Sequence, residues 1–420
     1  MKEGKMLTNY YVAPHKLEQL RSGPVGPYQD GFAGWLAERG YKRNVICTYV
    51  RGASNFSDWL CATGLSVENI DEKDLRRYGV FLKRLDPERR LCPRGMMDLR
   101  RSAGYLLTYL RSIEIAKDQT RTPEDDWPEL VRKFREWYRR YRGIAESTLS
   151  NHSRNICDFI RAAGDNPELY CAGNVRGFFF ERSKGLGGAS AQSVASSMRV
   201  FLRFLIATGK CPPGLDAAIP PVASWRLSTL PRYISEEDVE KIIASCDVGT
   251  ATGARDKAII LLLARLGLRP GDVTALKLDD IDWRAGKIRV SGKTRRQTWL
   301  PLPREVGECV SQYLVKWRRE VDCQNVFITM YAPFNPVSRC VVSWVVSMAI
   351  RRAGVEAQLR GAYVLRHSFA TSMLKKGMSL YDIGTILRHS NVETTAHYAK
   401  VDFELLKEVA MPWPGEVSPC

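Results

Sequence analysis

The sequence of 420 residues has no hydrophobic run long enough to span a membrane, and its cysteines are not spaced as in a disulfide-stabilised fold. Its longest apolar candidate, Ala258-Ile-Ile-Leu-Leu-Leu-Ala264, is stopped by Arg265, whereas a membrane helix needs about 18 or more apolar residues. The 11 cysteines are scattered from Cys47 to Cys420 without a Cys-x-x-Cys pair, which fits neither a disulfide framework nor a zinc ribbon. The first residues also lack the apolar core of a signal peptide, so we expect a cytoplasmic protein with no membrane partner.

Negative charge is the scarcer sign in this chain. Lys and Arg number 63 against 46 Asp and Glu, which gives a formal charge of +17. Residues 1–230 hold 36 basic and 25 acidic side chains and residues 231–420 hold 27 and 21, so a basic tail alone cannot explain the excess. Spread positive charge on a folded chain favours a polyanion such as nucleic acid, although a solubilising surface gives the same sum. The length predicts two to four folded domains.

The first half contains one pattern twice, at an offset of 100 residues. Asn55-Phe-Ser-Asp-Trp-Leu-Cys-Ala-Thr-Gly64 aligns without a gap with Asn155-Ile-Cys-Asp-Phe-Ile-Arg-Ala-Ala-Gly164, and 22 aligned positions contain six identities. Each copy then reaches a segment with apolar residues at helical spacing, over 103–115 and 194–207. Two successive small helical domains are the simplest interpretation, and a chance match of two helical stretches is the alternative.

The second half changes character after a stretch whose five prolines prevent a continuous helix. The alternating residues of 287–302, around a Gly-bearing turn, predict a β-hairpin. Helical spacing and capping residues predict helices from Ser235 and over 256–266, about 305–320, 338–353, 365–376, 379–387 and 402–410. The predicted fold class is therefore mainly α with a small β-sheet.

Four short segments of the second half stand out as a set. They are Gly267-Leu-Arg-Pro-Gly-Asp272, the hairpin turn Ser291-Gly-Lys-Thr-Arg-Arg296, Tyr363-Val-Leu-Arg-His-Ser-Phe-Ala-Thr371 and Leu387-Arg-His-Ser-Asn-Val-Glu-Thr-Thr-Ala-His-Tyr398. Each alone is a weak signal, since an arginine between two helices or a cationic turn is usually just solvated. In this order near the C-terminus they resemble the tyrosine recombinases, the family of phage integrases and Xer-type recombinases. The resemblance is strong over about 232–405.

The resemblance implies a domain organisation. It implies two small helical N-terminal domains followed by a mixed, mostly helical catalytic domain. The expected boundaries are a helical, SAM-like DNA-binding domain over 1–120, a helical core-binding domain over 127–211, a proline-rich linker over 212–231, and a catalytic domain over 232–420 that ends in a tail helix.

The resemblance also implies roles for single residues. It makes Tyr398 the nucleophile, Arg269 and Arg366 the arginines on the scissile phosphate, Lys293 the hairpin lysine and His389 the second histidine or tryptophan position. Guanidinium groups are permanently charged forks that suit the developing charge on phosphate oxygens. A tyrosine, with an ordinary pKa of about 10, needs assistance to act as a nucleophile. A lysine on a turn can supply the proton of the leaving 5′-oxygen.

One position departs from the family pattern. Tyr363 stands where the family usually has the histidine of His-x-x-Arg, and a phenol can donate a hydrogen bond but cannot become a cation near neutral pH. Asp272 is expected to orient Arg269, with simple stabilisation of a helix N-terminus as the alternative. His367 and His397 are interpreted as packing or solvated neighbours of the site.

The resemblance implies a site-specific recombinase or integrase that cuts and rejoins duplex DNA through a 3′-phosphotyrosyl intermediate. No cofactor, metal or ATP is expected, and the implied assembly is four protomers on two DNA sites, with related recombinases as further partners. A mobile element and its transposition are the expected context, in the nucleoid-associated cytoplasm. Two alternatives stay open: a catalytically silent DNA-binding accessory relative, which Tyr363 favours, and a strand-relaxing topoisomerase.

Overall fold

The computed structural model describes residues 6–85, 93–116, 127–223, 232–291, 297–357, 361–389 and 393–400. The chain divides into two compact units, one combining Met1–Lys117 with Thr229–Cys420 and the other formed by Asp118–Ser228. Helices account for 67% of the described residues, and a three-stranded antiparallel sheet accompanies them, which confirms the predicted fold class. In the part of the chain that is described, no helix is both long and apolar enough to cross a membrane.

The first helical region is built around two long helices in close contact. Its helices are α1 (Pro14–Arg21), α2 (Gln29–Glu38), α3 (Arg43–Thr63), α4 (Glu72–Leu85) and α5 (Pro93–Ser112). A Cβ on Gly52 of α3 would lie 2.3 Å from the Ser102 Oγ of α5, so the close approach of these helices requires glycine. Helix α3 ends where Gly64 adopts a left-handed φ of 68°.

The second helical region repeats this arrangement of elements. It contains α6 (Glu129–Arg142), α7 (Glu146–Ala163), α8 (Ala172–Ser183) and α9 (Gly188–Ala207). Helix α7 ends 100 positions after α3, and α8 begins 100 positions after α4. The element boundaries therefore follow the offset of the sequence repeat, and each region buries its own apolar core.

The C-terminal half surrounds one helix that is buried on nearly every side. Its helices are α10 (Glu236–Ala244), α11 (Ala251–Leu266), α12 (Pro270–Ala275), α13 (Arg304–Gln312), α14 (Arg339–Arg352), α15 (Ala362–Lys375), α16 (Leu380–Ile386) and α17 (Glu393–Ala399). Helix α11 forms the centre of the core, and α13 continues into a π-helical turn over Tyr313–Trp317. The predicted helix over 402–410 lies outside the described residues, and α17 is an addition to the prediction.

The predicted hairpin forms two strands of the small sheet. Strands β1 (Ile281–Asp282), β2 (Lys287–Ser291) and β3 (Gln297–Pro301) pair antiparallel in the order β1-β2-β3. Ile288 pairs with Leu300 and both are buried, while Lys287 of the same strand is exposed, as the alternating sequence requires. The turn between β2 and β3, with Lys293, lies outside the described residues.

Candidate active site

Arg269 lies at the junction between α11 and α12, where the chain turns sharply. Gly267 ends α11 with a left-handed φ of 56°, a conformation that favours glycine. A Cβ at this position would also lie 2.7 Å from side-chain atoms of Leu387 and Phe369. Pro270 then begins α12, with Arg269 as the N-cap residue. The Gly-Leu-Arg-Pro sequence thus fixes the position of Arg269 at the N-terminus of α12.

The Arg366 side chain is buried on α15, and the residue is only 4% exposed. Its Nη1 donates a hydrogen bond to the Gly267 carbonyl, and Nη2 donates to the Leu387 carbonyl 2.6 Å away. Burial, and after it the charge of Arg269, lowers the pKa of Arg366 to about 10, so the group stays cationic at neutral pH. Within the described ranges no carboxylate forms an ion pair with Arg366. Its charge is therefore available to an anion.

Arg269 keeps one donor unused. Its Nη2 donates to the Arg388 carbonyl at 3.1 Å, whereas Nη1 is buried and has no hydrogen-bond partner among the residues that are described. A buried donor without a partner costs about 1–3 kcal/mol, which proteins tolerate chiefly at functional sites. An unpaired donor beside Arg366 therefore indicates a binding site for an anion.

Tyr398 lies on α17 with its hydroxyl against α15. The residue is 2% exposed, and its hydroxyl oxygen lies 2.9 Å from Nδ1 of His367. Burial raises the pKa of Tyr398, and the charges of Arg366 and Arg269 oppose this rise. The phenol is therefore protonated at neutral pH, and it stands close to two cations that would stabilise its anion.

His389 is also held by a hydrogen-bonding neighbour within the cluster. Its Nδ1 lies 2.8 Å from the Thr395 hydroxyl. Burial, and after it the charges of Arg366 and Arg269, lowers the pKa of His389 to about 4. The imidazole is neutral at pH 7, and when Thr395 donates to Nδ1 the proton on Nε2 is free to hydrogen-bond a phosphate oxygen.

Asp272 and Arg388 form a buried ion pair inside the same cluster. Arg388 Nη2 donates to Asp272 Oδ2 at 2.6 Å, and the two side chains are 8% and 5% exposed. The same carboxylate oxygen accepts the backbone N–H of Arg269 at 2.9 Å. Asp272 thus stabilises the start of α12, the alternative given above, and its charge partner is Arg388. Nε and Nη1 of Arg388 are buried without a partner in the described part of the molecule.

The structure brings together four of the six residues expected from the sequence. The charges of Arg269 and Arg366 act on the pKa of His389 and on that of Tyr398, and the charge of Arg269 also acts on the pKa of Arg366. Tyr363 lies in the first turn of α15 and is 56% exposed, and its hydroxyl makes no hydrogen bond within the described ranges. Its side chain is outside the buried cluster. The sixth residue, Lys293, lies outside the described residues.

Two residues of the cluster are absent from the sequence-based set. His367 is interpreted above as a packing neighbour, yet its ring meets the Tyr398 hydroxyl. The sequence could have indicated His367, because positions 363 and 367 are four residues apart and therefore lie on the same face of a helix. Arg388 carries no comparable signal, because only the folded chain brings it to Asp272 across 116 residues.

The chemistry of the cluster suits a phosphate diester. Within the described ranges, the cluster contains three guanidinium groups, one carboxylate and a phenol, and Nη1 of Arg269 and two nitrogens of Arg388 are unpaired. Among the described residues, no group of three or more His, Cys, Asp or Glu side chains is placed to hold a metal ion. Such an arrangement can bind an anionic ester through charge-assisted hydrogen bonds and present a hydroxyl to it.

These features define a helical protein with a candidate anion site beside a buried tyrosine, and comparison with known proteins gives its family. The profile of the phage integrase family matches residues 232–404. A Sinorhizobium fredii protein named integrase/recombinase y4rA is 35% identical over 417 residues, covering 97% of this chain and 99% of that protein. The tyrosine recombinase XerD of Corynebacterium glutamicum is 28% identical over 290 residues, covering 65% of this chain and 93% of its own length.

The chain therefore belongs to the phage integrase family, the tyrosine recombinases, which confirms the resemblance seen in the sequence. It is an enzyme of the tyrosine-type site-specific DNA recombinase class.

Solved structures agree on the fold. A lambda integrase dimer bound to a COC′ core site matches with a TM-score of 0.52 and 19% identity, covering 69% of this chain and 98% of that one. The XerH recombinase in a post-cleavage complex with palindromic difH matches with a TM-score of 0.50 and 18% identity, covering 83% of this chain and 91% of that one. At these identities the likeness establishes the fold alone.

Proposed function

We propose that this recombinase cleaves and rejoins duplex DNA with Tyr398 as its nucleophile. The observation that carries the proposal is the position of the Tyr398 hydroxyl in a buried cluster with Arg269 and Arg366, whose charges act on it and which have no carboxylate partner among the described residues. A phosphate placed between these guanidinium groups would lie next to the phenol. The role in a mobile element draws on the relatives named integrase/recombinase.

The proposed reaction exchanges one phosphate ester for another. The Tyr398 oxygen attacks the scissile phosphorus as its proton leaves, the bond from phosphorus to the 5′-oxygen breaks, and that oxygen takes up a proton. The products are a 3′-phosphotyrosyl link and a free 5′-hydroxyl. Lys293 is the proposed source of the proton for the 5′-oxygen. Because the ester bond is conserved, attack by another 5′-hydroxyl rejoins the strands without ATP, metal or a redox partner.

The arginines act on the charge that develops during attack. The non-bridging phosphate oxygens gain negative charge, and Nη1 of Arg269 is a preorganised donor that is not occupied by another described residue. Arg366 supplies a second cation, and His389 supplies a neutral donor. Removing one such donor from a site of this kind costs about 10²–10³-fold in rate.

We extend the proposal to binding and assembly. The positive charge of both halves of the chain suits duplex DNA, and we assign DNA contacts to the helical regions as well as to the catalytic half. Exchange between two duplexes requires two cleavages on each, so the proposed active assembly has four protomers on two sites.

The experiment that tests the nucleophile uses a nicked suicide substrate, with the site selected from genomic fragments that the protein binds. Wild type should form a covalent protein–DNA adduct, and Tyr398→Phe should abolish it while DNA binding persists. Tyr313→Phe is a matched control, because Tyr313 is also fully buried but packs in the core away from the cluster. An adduct with Tyr398→Phe would refute the nucleophile, and binding without any wild-type adduct would instead support a silent accessory protein.

A further inference from the structure

The hydroxyl of Tyr398 has a single hydrogen-bond partner within the described residues, and that partner is a histidine to which the family resemblance gives no role. The hydroxyl oxygen of Tyr398 and Nδ1 of His367 are 2.9 Å apart, and the two ring centroids are 5.7 Å apart. Such a distance is an ordinary hydrogen bond between a hydroxyl and a ring nitrogen. The contact joins the last described helix, α17, to the middle of α15.

The direction of this hydrogen bond follows from what surrounds the hydroxyl. Tyr398 is 2% exposed, so its proton has no ready access to water, and a buried hydroxyl proton needs an acceptor. The neighbouring Arg366 and Arg269 can only donate. Nδ1 of His367 is therefore the acceptor, and the ring proton resides on Nε2.

Burial, together with the charges that face His367, keeps its ring neutral. Burial, and after it His397 and then Arg366, lowers the pKa of His367 to about 4. His389 and Tyr398 are further titratable groups near the ring among the described residues. A neutral imidazole can accept a proton at pH 7, and a bound phosphate would add the negative charge that stabilises the protonated ring.

The other histidine of the cluster is less suited to this task. Nδ1 of His389 contacts the Thr395 hydroxyl, and no hydrogen bond links His389 to Tyr398 in the described part of the chain. Tyr363, at the position where the family usually has a histidine, is 56% exposed and has no contact of this kind. His367, one helical turn further along α15, is thus the basic group that touches the reacting oxygen.

We propose that His367 is the general base of the cleavage step. It takes the proton from the Tyr398 oxygen onto Nδ1 as that oxygen bonds to phosphorus, and it returns the proton when the tyrosine leaves during rejoining. The leaving 5′-oxygen receives its own proton from another group. This inference rests on the proposed function, because it assumes that Tyr398 is the nucleophile.

The test compares two substitutions that separate proton transfer from positioning. His367→Asn keeps a hydrogen-bonding atom near the place of Nδ1 but cannot hold a proton, and His367→Ala removes both functions. Single-turnover formation of the covalent adduct on the nicked substrate should fall by about 10²-fold or more in both variants at pH 7. Their rates should rise with pH as tyrosinate forms, whereas the wild-type rate should be nearly flat.

His152→Asn is the matched control for the loss of a buried histidine. Nδ1 of His152 lies 2.8 Å from the Ser197 hydroxyl in the second helical region, and burial lowers the pKa of His152 as well. This variant should keep the wild-type cleavage rate per bound protein. DNA binding and thermal unfolding, measured for all variants, identify any that fail to fold.

A substrate with sulfur in place of the bridging 5′-oxygen separates the base from the acid. A thiolate leaves without a proton, so this substrate should restore cleavage to Lys293→Ala. It should not restore cleavage to His367→Ala, whose missing step is the removal of the tyrosine proton. Equal restoration of both variants would overturn the assignment.

The remaining outcomes also decide the proposal. Wild-type activity in His367→Asn would show that the histidine only positions the tyrosine, and faster cleavage in His367→Ala would show that it restrains the tyrosine. Either result overturns the general base while leaving Tyr398 as the nucleophile. Failure of the proposed function is distinguishable, because wild type would then give no adduct or Tyr398→Phe would still give one.

Discussion

The described part of the catalytic half buries arginine in two places, and the two differ in how the guanidinium groups are paired. Arg255, on α11, donates from Nε and Nη2 to the Asp256 carboxylate at 3.0 and 2.7 Å, and Nη1 reaches the Ile328 carbonyl at 3.4 Å. The two side chains are 5% and 2% exposed. Every nitrogen of this guanidinium has a partner, and one carboxylate balances one cation.

Among its described residues, the candidate active site has three arginines and one carboxylate. Asp272 pairs with Arg388, while Arg366 hydrogen-bonds only carbonyl oxygens of the described residues and Arg269 keeps a free Nη1. Charge and donors are both in excess. Burial alone therefore does not identify a functional arginine, whereas an excess of unpaired donors does.

The largest effect expected from this comparison is on stability at the balanced pair. Arg255→Leu would leave the buried Asp256 carboxylate without its partner, and breaking a buried pair from one side costs about 3–5 kcal/mol. Urea unfolding followed by circular dichroism measures the loss. Replacing both residues by leucine should recover much of it, because two apolar groups leave no buried charge.

The same variant should show a characteristic pH dependence. Burial raises the pKa of Asp256 and Arg255 opposes the rise, so removing the arginine raises this pKa further. A raised carboxyl pKa means that the folded state holds its proton more tightly than the unfolded state does. The deficit should therefore grow from pH 5 to pH 7, and an equal deficit at both values would contradict the assignment of the cost to the carboxylate.

The second prediction concerns an arginine from the unbalanced cluster. Arg269→Ala should lower the rate of adduct formation by about 10²–10³-fold, since it removes a preorganised donor to phosphate. It should not lower the free energy of unfolding as Arg255→Leu does, because a group with an unpaired buried nitrogen contributes little to stability. A loss of stability as large as that of Arg255→Leu would remove the distinction between the two arginine groups.

The third prediction uses an anion to reveal the unpaired donors. Inorganic phosphate at 100 times the wild-type dissociation constant should stabilise the wild-type protein by about 2.7 kcal/mol, the value for any ligand that binds only the folded state. At the same phosphate concentration, Arg269→Ala should be stabilised less. Sodium chloride of equal ionic strength serves as the control. Equal stabilisation of both proteins by phosphate would show that the anion acts elsewhere.

Much of this architecture follows from local signals in the sequence. The Ser235 side chain accepts the Asp238 N–H as the predicted N-cap, and Gly267 ends α11 in the left-handed conformation expected of it. The hairpin strands likewise follow from alternation of apolar and polar residues. These features depend on contacts within a few residues, which is why the sequence predicts them.

The parts that the sequence did not predict depend on contacts between distant residues. The His367 to Tyr398 bond spans 31 positions and the Arg388 to Asp272 pair spans 116. Helix α17 has only seven residues, too few to stand on helical propensity alone, so its packing against α15 and α16 determines it. The sequence motifs singled out Arg269, Arg366 and Tyr398, but only the fold shows which of their side-chain atoms already have a hydrogen-bond partner.

The smallest effect is expected at the residue that departs from the family pattern. Tyr363 is 56% exposed and outside the buried cluster, so its hydroxyl can offer DNA at most one neutral hydrogen bond. Such a bond is worth about 0.5–1.5 kcal/mol, and Tyr363→Phe should therefore slow adduct formation by roughly 2–10-fold. Tyr381→Phe is the matched control, because it removes the hydroxyl of another exposed tyrosine, which lies on α16, and it should leave the rate unchanged. A loss of 10²-fold or more in Tyr363→Phe would place this phenol among the preorganised donors. The buried cluster of unpaired arginine donors would then lack one of the principal groups of the site.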